Sequence, residues 1–337
     1  MNKPTYSYDI KPFSDFWMNC FLNGMFSLAT HFDKAYRLAA YMNHHSFEHT
    51  NNYKDPSFRL PAVKLPWFQQ MTSAFKFELK PHFFLDEERF VDEIKVLIKE
   101  QRIISLCVDL YSWIPGSYCF QRYHWSHYSI IKGYDEARNV FFVLDDNLNG
   151  YNEFEISEDT LVTCFKNSDY FMNSEVFKYP YVEMVLDEHV PYVFSFQEVI
   201  DHSERLIREI AEFSFDGLWE FDPNSDEVTS HLDYSMIGTE SFFNRQIASK
   251  YLFQYLVESG HIDNDLYENL VTQVDQIHDG WQIIRNLFGK HKALIFAHRP
   301  FTLERDKMID MAKNLMQKES DMWETLYKAN RSLQQVG

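Results

Sequence analysis

The stretch His127–Asp146, HYSIIKGYDEARNVFFVLDD, decides how the rest of the chain is read. Its first eight residues alternate toward Gly133, and Arg138 to Leu144 are rich in β-branched and aromatic side chains, so the segment reads as two strands. Asp135 to Arg138 between them form a polar turn. An antiparallel hairpin brings the start of its first strand beside the end of its second, which predicts that His127 lies close to Asp145 and Asp146. A His held by a carboxylate is half of a nucleophile-activating triad: the carboxylate fixes the tautomer and stabilises the imidazolium. The other half has to be a Ser or Cys from elsewhere in the chain.

Upstream, residues 13–30 run from an aromatic lead-in to a helical pattern with Leu22, Met25, Phe26 and Ala29 on one face. Asn19 is the expected N-cap, which puts Cys20 in the first helical turn, where the partial positive charge of a helix N-terminus lowers a thiol pKa. Residues 42–57, rich in Asn and His, read as a loop. Residues 86–100 read as an amphipathic helix, 102–110 as a buried strand, and 151–156 as a third strand following the hairpin. Further on, Ser195 to Glu198 form a capping box that opens a helix carrying Val199, Leu206, Ile210 and Phe213. Residues 215–240 are looser, and 241–259, 263–287 and 302–333 read as helices. The fold class expected is α+β, with a mixed domain at 1–175 and an all-helical domain at 176–337.

Composition narrows the function classes. The formal net charge of −18, from 50 acidic and 32 basic residues, argues against a broad grip on nucleic acid or an anionic membrane surface. The cysteines at 20, 107, 119 and 164 have neither CxxC nor zinc-like spacing, so reduced thiols in a cytoplasmic protein are expected. No signal peptide is expected in Met1 to Trp17, and no apolar run is long enough to span a bilayer.

A Cys at a helix N-terminus followed by a His-to-carboxylate hairpin is the layout of a papain-like cysteine enzyme, with Cys20 as nucleophile, His127 as general base then acid, and Asp145 as orienter. The stretch Val108–Asp145 resembles the N-terminal domain family of butirosin biosynthesis protein H, whose members resemble papain-like peptidases. The matching pieces are Asp109-Leu-Tyr111, the H-x-x-H of His124 and His127, Gly133-Tyr-Asp135, the strand ending in Asp145, and Asn19-Cys20 before a helix. The resemblance covers about the first half of the chain. It implies acyl or aminoacyl transfer in natural-product biosynthesis: a phosphopantetheine-bound acyl group on an acyl or peptidyl carrier protein passes through a Cys20 thioester to an amine acceptor, with no metal or organic cofactor. The same triad would serve a hydrolase, and the same fold a non-catalytic scaffold.

Papain-like enzymes usually place a Gln a few residues before the Cys to complete the oxyanion hole. Ser14 stands in that region here and no Gln precedes Cys20, so Asn19, Ser14 or the Cys20 backbone N–H would have to serve. Asp109 and His124 read as support residues, and Cys107, inside an apolar strand, as core. Two other features carry weaker signals. His45-Ser-Phe-Glu-His49 fits the H-x-x-E-H zinc signature, but its surroundings lack the apolar face such a helix needs. The basic island Arg285–Arg299 reads as a solvated turn between helices, or as a docking point for an acidic carrier protein.

Overall fold

The computed structural model describes residues 5–43, 47–50, 60–63, 77–172, 177–186, 191–220, 222, 224–300 and 302–334. Its elements in chain order are β1 (Thr5–Ser7), α1 (Cys20–Phe32), α2 (Tyr36–Asn43), β2 (Phe47–Thr50), β3 (Leu60–Val63), β4 (Phe77–His82), α3 (Phe90–Lys99), β5 (Ile103–Asp109), β6 (Ser126–Asp135), β7 (Val140–Asn147), β8 (Gly150–Ser157), α4 (Glu158–Lys166), β9 (Tyr181–Leu186), α5 (Phe196–Glu212), α6 (Val228–Glu258), α7 (Asn264–Phe296) and α8 (Arg305–Gln334). The chain is thus mixed α and β, with an antiparallel sheet and a helical C-terminal region. It divides into two compact units, residues 1–37 with 68–192, and 38–67 with 193–337. A single cut at 175 does not describe this division, because β9 beyond it completes the sheet and segment 38–67 belongs with the helices.

The first unit is built on an antiparallel sheet in the order β4-β9-β5-β6-β7-β8, with β1 added alongside β6. The expected hairpin is its centre: Ile130 faces Leu144 and Tyr134 faces Phe141. β5 is buried at every position, as its unbroken apolar run requires of a central strand. Ile104, Leu106 and Val108 pack with Phe90, Ile94 and Leu97 of α3 and with Leu161 and Phe165 of α4 in one core. α1 packs on β6 and β7, and Gly24 lets it come close, since a Cβ there would lie 2.8 Å from Ile130 Cδ1 and 2.9 Å from the Tyr151 hydroxyl.

Three strands and a helix of this unit lie outside the sequence reading. β4, FELKPH, contains Pro81, which argues against a strand in a sheet interior but is tolerated at a sheet edge, where β4 lies. β1 is three residues long, and β9 and α4 follow the clearest pattern in the chain, the hairpin, without a strong one of their own.

In the second unit α6 packs on α7, α7 on α8, and α5 on α8. Ser195 caps α5 as expected, its hydroxyl accepting from Gln197 N–H. α6 starts at Val228, thirteen residues before the expected 241, since 228–240 contains Ser, Thr and Gly and no single apolar stripe. What holds it is burial on several sides: His231, Asp233, Ser235, Thr239, Arg245, Gln246 and Ser249 are all buried. The core includes Trp281 stacked on Phe242 at 4.3 Å, and a fully buried ion pair between Arg245 and Glu319.

Two expectations are corrected here. The basic island is mostly helix and not a turn: α7 runs through it to Phe296, and two of its cations are engaged within the unit, Arg285 reaching Glu240 at 3.6 Å and Lys292 bonding Asp233. His45 lies outside the described residues, while Glu48 and His49 belong to β2, so the H-x-x-E-H segment does not lie on one helix; β2, inside the stretch 42–57 read as a loop, forms a small antiparallel ribbon with β3 beyond it.

Candidate active site

β6 delivers His127 one residue into its first turn of strand, and β7 delivers Asp145 opposite its end. The register places Val108 of β5 across from His127, and the hairpin brings His127 Nε2 to 2.9 Å from Asp145 Oδ2. Asp145 is 1% exposed and surrounded by donors: the Trp113 indole N–H at 2.8 Å, the Ser129 hydroxyl, and the Asp146 backbone N–H at 2.8 Å, besides His127. A buried carboxylate met by that many donors is stable as the anion.

Cys20 is the first residue of α1. Asn19 caps the helix, its side-chain oxygen accepting from Leu22 N–H at 2.8 Å and its carbonyl from Asn23 N–H. The Cys20 N–H is left at the open end of the helix, ahead of those two. The thiol and the His127 ring are close enough to act on one another's charge, the imidazolium favouring the thiolate and the thiolate the imidazolium. With Nε2 taken by Asp145, Nδ1 is the ring nitrogen left to serve Cys20. Cys20, His127 and Asp145 therefore form one continuous chain of side chains, and Cys20 alone of the four cysteines is not fully buried.

The segment leading into Cys20 is held by α1 itself. Asn23, fully buried, accepts from Met18 N–H at 2.9 Å and donates to the carbonyls of Phe13 and Phe16. Ser27 accepts from Phe13 N–H at 2.7 Å. Trp17 donates its indole N–H to Asp146 Oδ2 at 2.9 Å, tying the same segment to β7. Every one of these bonds fixes backbone just upstream of the nucleophile.

Charge in the site follows from burial and neighbours. Burial alone would lower the His127 pKa, but Asp145 and then Cys20 outweigh it and hold the imidazole well above its ordinary range. Burial would raise Asp145, but the His127 charge and hydrogen bond, with Ser129 and the Asp146 N–H, bring it below the usual carboxylate range. Burial pushes the Cys20 thiol up; His127 opposes this, while Asp146 and Asp145 add to it. The depressed thiol expected from the helix N-terminus is thus not found, because desolvation and two carboxylates outweigh that field. The thiolate is available as the partner of an imidazolium, and Asp145 stabilises that imidazolium.

The remaining expected residues divide. Asn19 is beside the nucleophile, but its carbonyl oxygen is committed to the cap. Ser14 is exposed, and among the described residues it makes no hydrogen bond to Cys20, His127 or Asp145, so the structure does not bring it to the site. Asp109 and His124 form a second His–carboxylate pair, 2.8 Å apart, at the same end of the sheet. Trp113, Ser129, Trp17 and Asn23 were not singled out by the sequence reading. A Trp in a polar loop is a signal for Trp113, since a buried indole N–H needs an acceptor; nothing local marks Asn23. Among the described residues no group of three or more His, Cys, Asp or Glu side chains could hold a metal ion, and no helix is long and apolar enough to cross a membrane. No family model and no curated protein matches this chain.

Proposed function

We propose that this protein is a cysteine-dependent acyltransferase whose sheet unit is a papain-like catalytic domain. It moves an acyl group from the phosphopantetheine thioester of a carrier protein, through a Cys20 thioester, to an amine acceptor in cytoplasmic natural-product assembly. The observation that carries the reading is the chain Cys20–His127–Asp145, a thiol at a helix N-terminus coupled to a His whose far nitrogen bonds a fully buried, donor-rich carboxylate. A His that only filled core space would not need a buried anion with three further donors to orient it.

In acylation, Cys20 gives its proton to His127 and attacks the thioester carbonyl carbon. The Cys20 N–H at the helix end is the backbone donor suited to the developing oxyanion. The C–S bond to the donor breaks, and the departing thiolate takes the proton from His127. The acyl-enzyme is left with a neutral His127. An amine then attacks the Cys20 thioester, His127 accepts a proton, and Cys20 leaves as the thiolate.

The test is intact mass after incubation with acyl-carrier thioesters, with and without amines. Transfer predicts an adduct on Cys20 that persists alone, disappears when the amine is added, and is absent in Cys20→Ala. Turnover of donor without amine would make the protein a hydrolase with the same triad. No adduct from a panel of carrier thioesters and small-molecule thioesters would favour a scaffold.

A further inference from the structure

We propose that the Asp109–His124 pair is a second general base, which removes the first proton from an ammonium acceptor; this rests on the transfer reading above. Asp109 ends β5 and is 2% exposed. Its Oδ1 accepts the backbone N–H groups of Tyr111 and Trp125 at 3.3 and 3.2 Å, which closes the loop between β5 and β6. Its Oδ2 is 2.8 Å from His124 Nδ1. The imidazole is held from a second side by Tyr111, stacked on it at 4.4 Å with the planes 8° apart. With Nδ1 on the carboxylate, the neutral ring carries its proton there and its lone pair on Nε2.

What sets this His apart from a structural one is its exposure. The side chain is 69% accessible although the carboxylate that orients it is 3% accessible. The loop would be closed by the two backbone bonds without it. A fixed tautomer with a bare nitrogen facing solvent is the equipment of a base. Asp109 pairs with Ser126 in the register, and the next rung pairs Val108 with His127, so Asp109 and His127 stand on adjacent rungs at one end of the sheet. Cys119 feels both: burial first pushes its pKa to about 11, with His127, Asp146, Asp109 and Cys20 also acting on it.

Proton bookkeeping gives the second base its task. At neutral pH an alkylamine is present as the ammonium, its pKa being about 10 as for the Lys amine. Turning R–NH3⁺ into an amide releases two protons. His127, neutral in the acyl-enzyme, takes one as the C–N bond forms and the C–S bond breaks with its electron pair going to Cys20. The other proton must leave before attack, to free the nitrogen lone pair, and His124 Nε2 takes it. Ammonium, acyl-enzyme and two neutral imidazoles thus give amide, Cys20 thiolate and two imidazolium ions, with charge balanced.

Two amines separate this role from a structural one. Cys20 is acetylated with p-nitrophenyl acetate, and deacylation is followed by intact mass with hydroxylamine, which is largely neutral at neutral pH, and with n-propylamine, which is an ammonium. His124→Gln, a surface change, should acetylate at the wild-type rate and react with hydroxylamine within about twofold of wild type. Its reaction with n-propylamine should slow by about 10²-fold and recover as the pH is raised toward the amine's own pKa. Equal losses with both amines, no loss with either, or slowed acetylation would overturn the second-base role while leaving Cys20 as the nucleophile. A wild-type Cys20 that takes no acetyl group overturns the transfer reading, and the second base with it.

Discussion

Asp145 and Asp146 follow one another on β7, and the alternation of the strand sends the first to Trp113 and His127 and the second to Trp17. The two carboxylates consequently have their pKa values moved in opposite directions. Asp145, met by four donors, is held as the anion. Asp146 is raised to about 6, by burial first and then by Asp145, with His127 and Trp17 only partly offsetting them. Asp146→Asn keeps an acceptor for the Trp17 indole and removes the charge alone. Since that charge raises the Cys20 pKa, the variant should alkylate at Cys20 about three- to tenfold faster at neutral pH, the scale of one screened charge near a thiol. It should also lose the inflection near pH 6 in the rate profile. Stability gives an independent check. The folded pKa of Asp146 lies above the usual 3.8, so its contribution is fully present below about pH 4 and is lost as the pH rises through about 6. Asp146→Asn should therefore have a higher Tm than the wild type at pH 7, and a smaller advantage or none at pH 4. A variant with unchanged alkylation and Tm would mean that Asp146 does not carry this charge.

At the scale of elements, Gly133-Tyr-Asp135 shows how a motif can be built for architecture. Gly133 lies where β1 crosses β6, and a Cβ there would sit 2.7 Å from the Tyr6 carbonyl oxygen and 2.9 Å from Ser7 Cα. Tyr134 fills the core, and Asp135 caps the turn by accepting the N–H groups of Ala137 and Arg138. None of the three touches Cys20. Gly133→Ala must push β1 off the sheet, because beside the Phe142 ring the atoms it meets are β1 backbone, and should destabilise the unit by about 1–3 kcal/mol, the usual cost of overpacking. Urea unfolding followed by tryptophan fluorescence measures this, and Cys20 alkylation in the folded variant should be unchanged. Wild-type stability would mean that β1 does not rest on β6 as described.

The same hairpin shows what was legible in the sequence. His127, Asp145 and the Cys20 helix cap could be found because strand alternation, turn chemistry and capping are local rules. Trp113 meets Asp145 across 32 positions, and Trp17 meets Asp146 across 129, so no window of sequence contains either pair. β4 was hidden by a Pro that an edge strand accepts. The first half of α6 was hidden by buried polar residues that break any apolar stripe. The helix-tip thiolate was expected from the dipole alone, and the burial that reverses the shift became visible only with the fold.

In the whole molecule all four cysteines lie in the sheet unit, and the helical unit carries none. Their surroundings make them a built-in set of controls. Cys107 and Cys119 are buried and pushed up to about 11, chiefly by desolvation, and Cys164 likewise to about 12. Cys20 also has a raised thiol pKa, but it is the one with solvent access and a His to take its proton. The central claim is that His127, held by Asp145, makes Cys20 a nucleophile. The measurement that meets it most directly is the rate of iodoacetamide labelling of the intact folded protein at neutral pH, with the labelled residue identified by mass, in wild type and in His127→Gln. The account predicts a single label on Cys20 in the wild type, and labelling at least about tenfold slower in His127→Gln, where the thiol has lost its proton acceptor. Equal rates in the two proteins, or a label spread over the four cysteines, would contradict it.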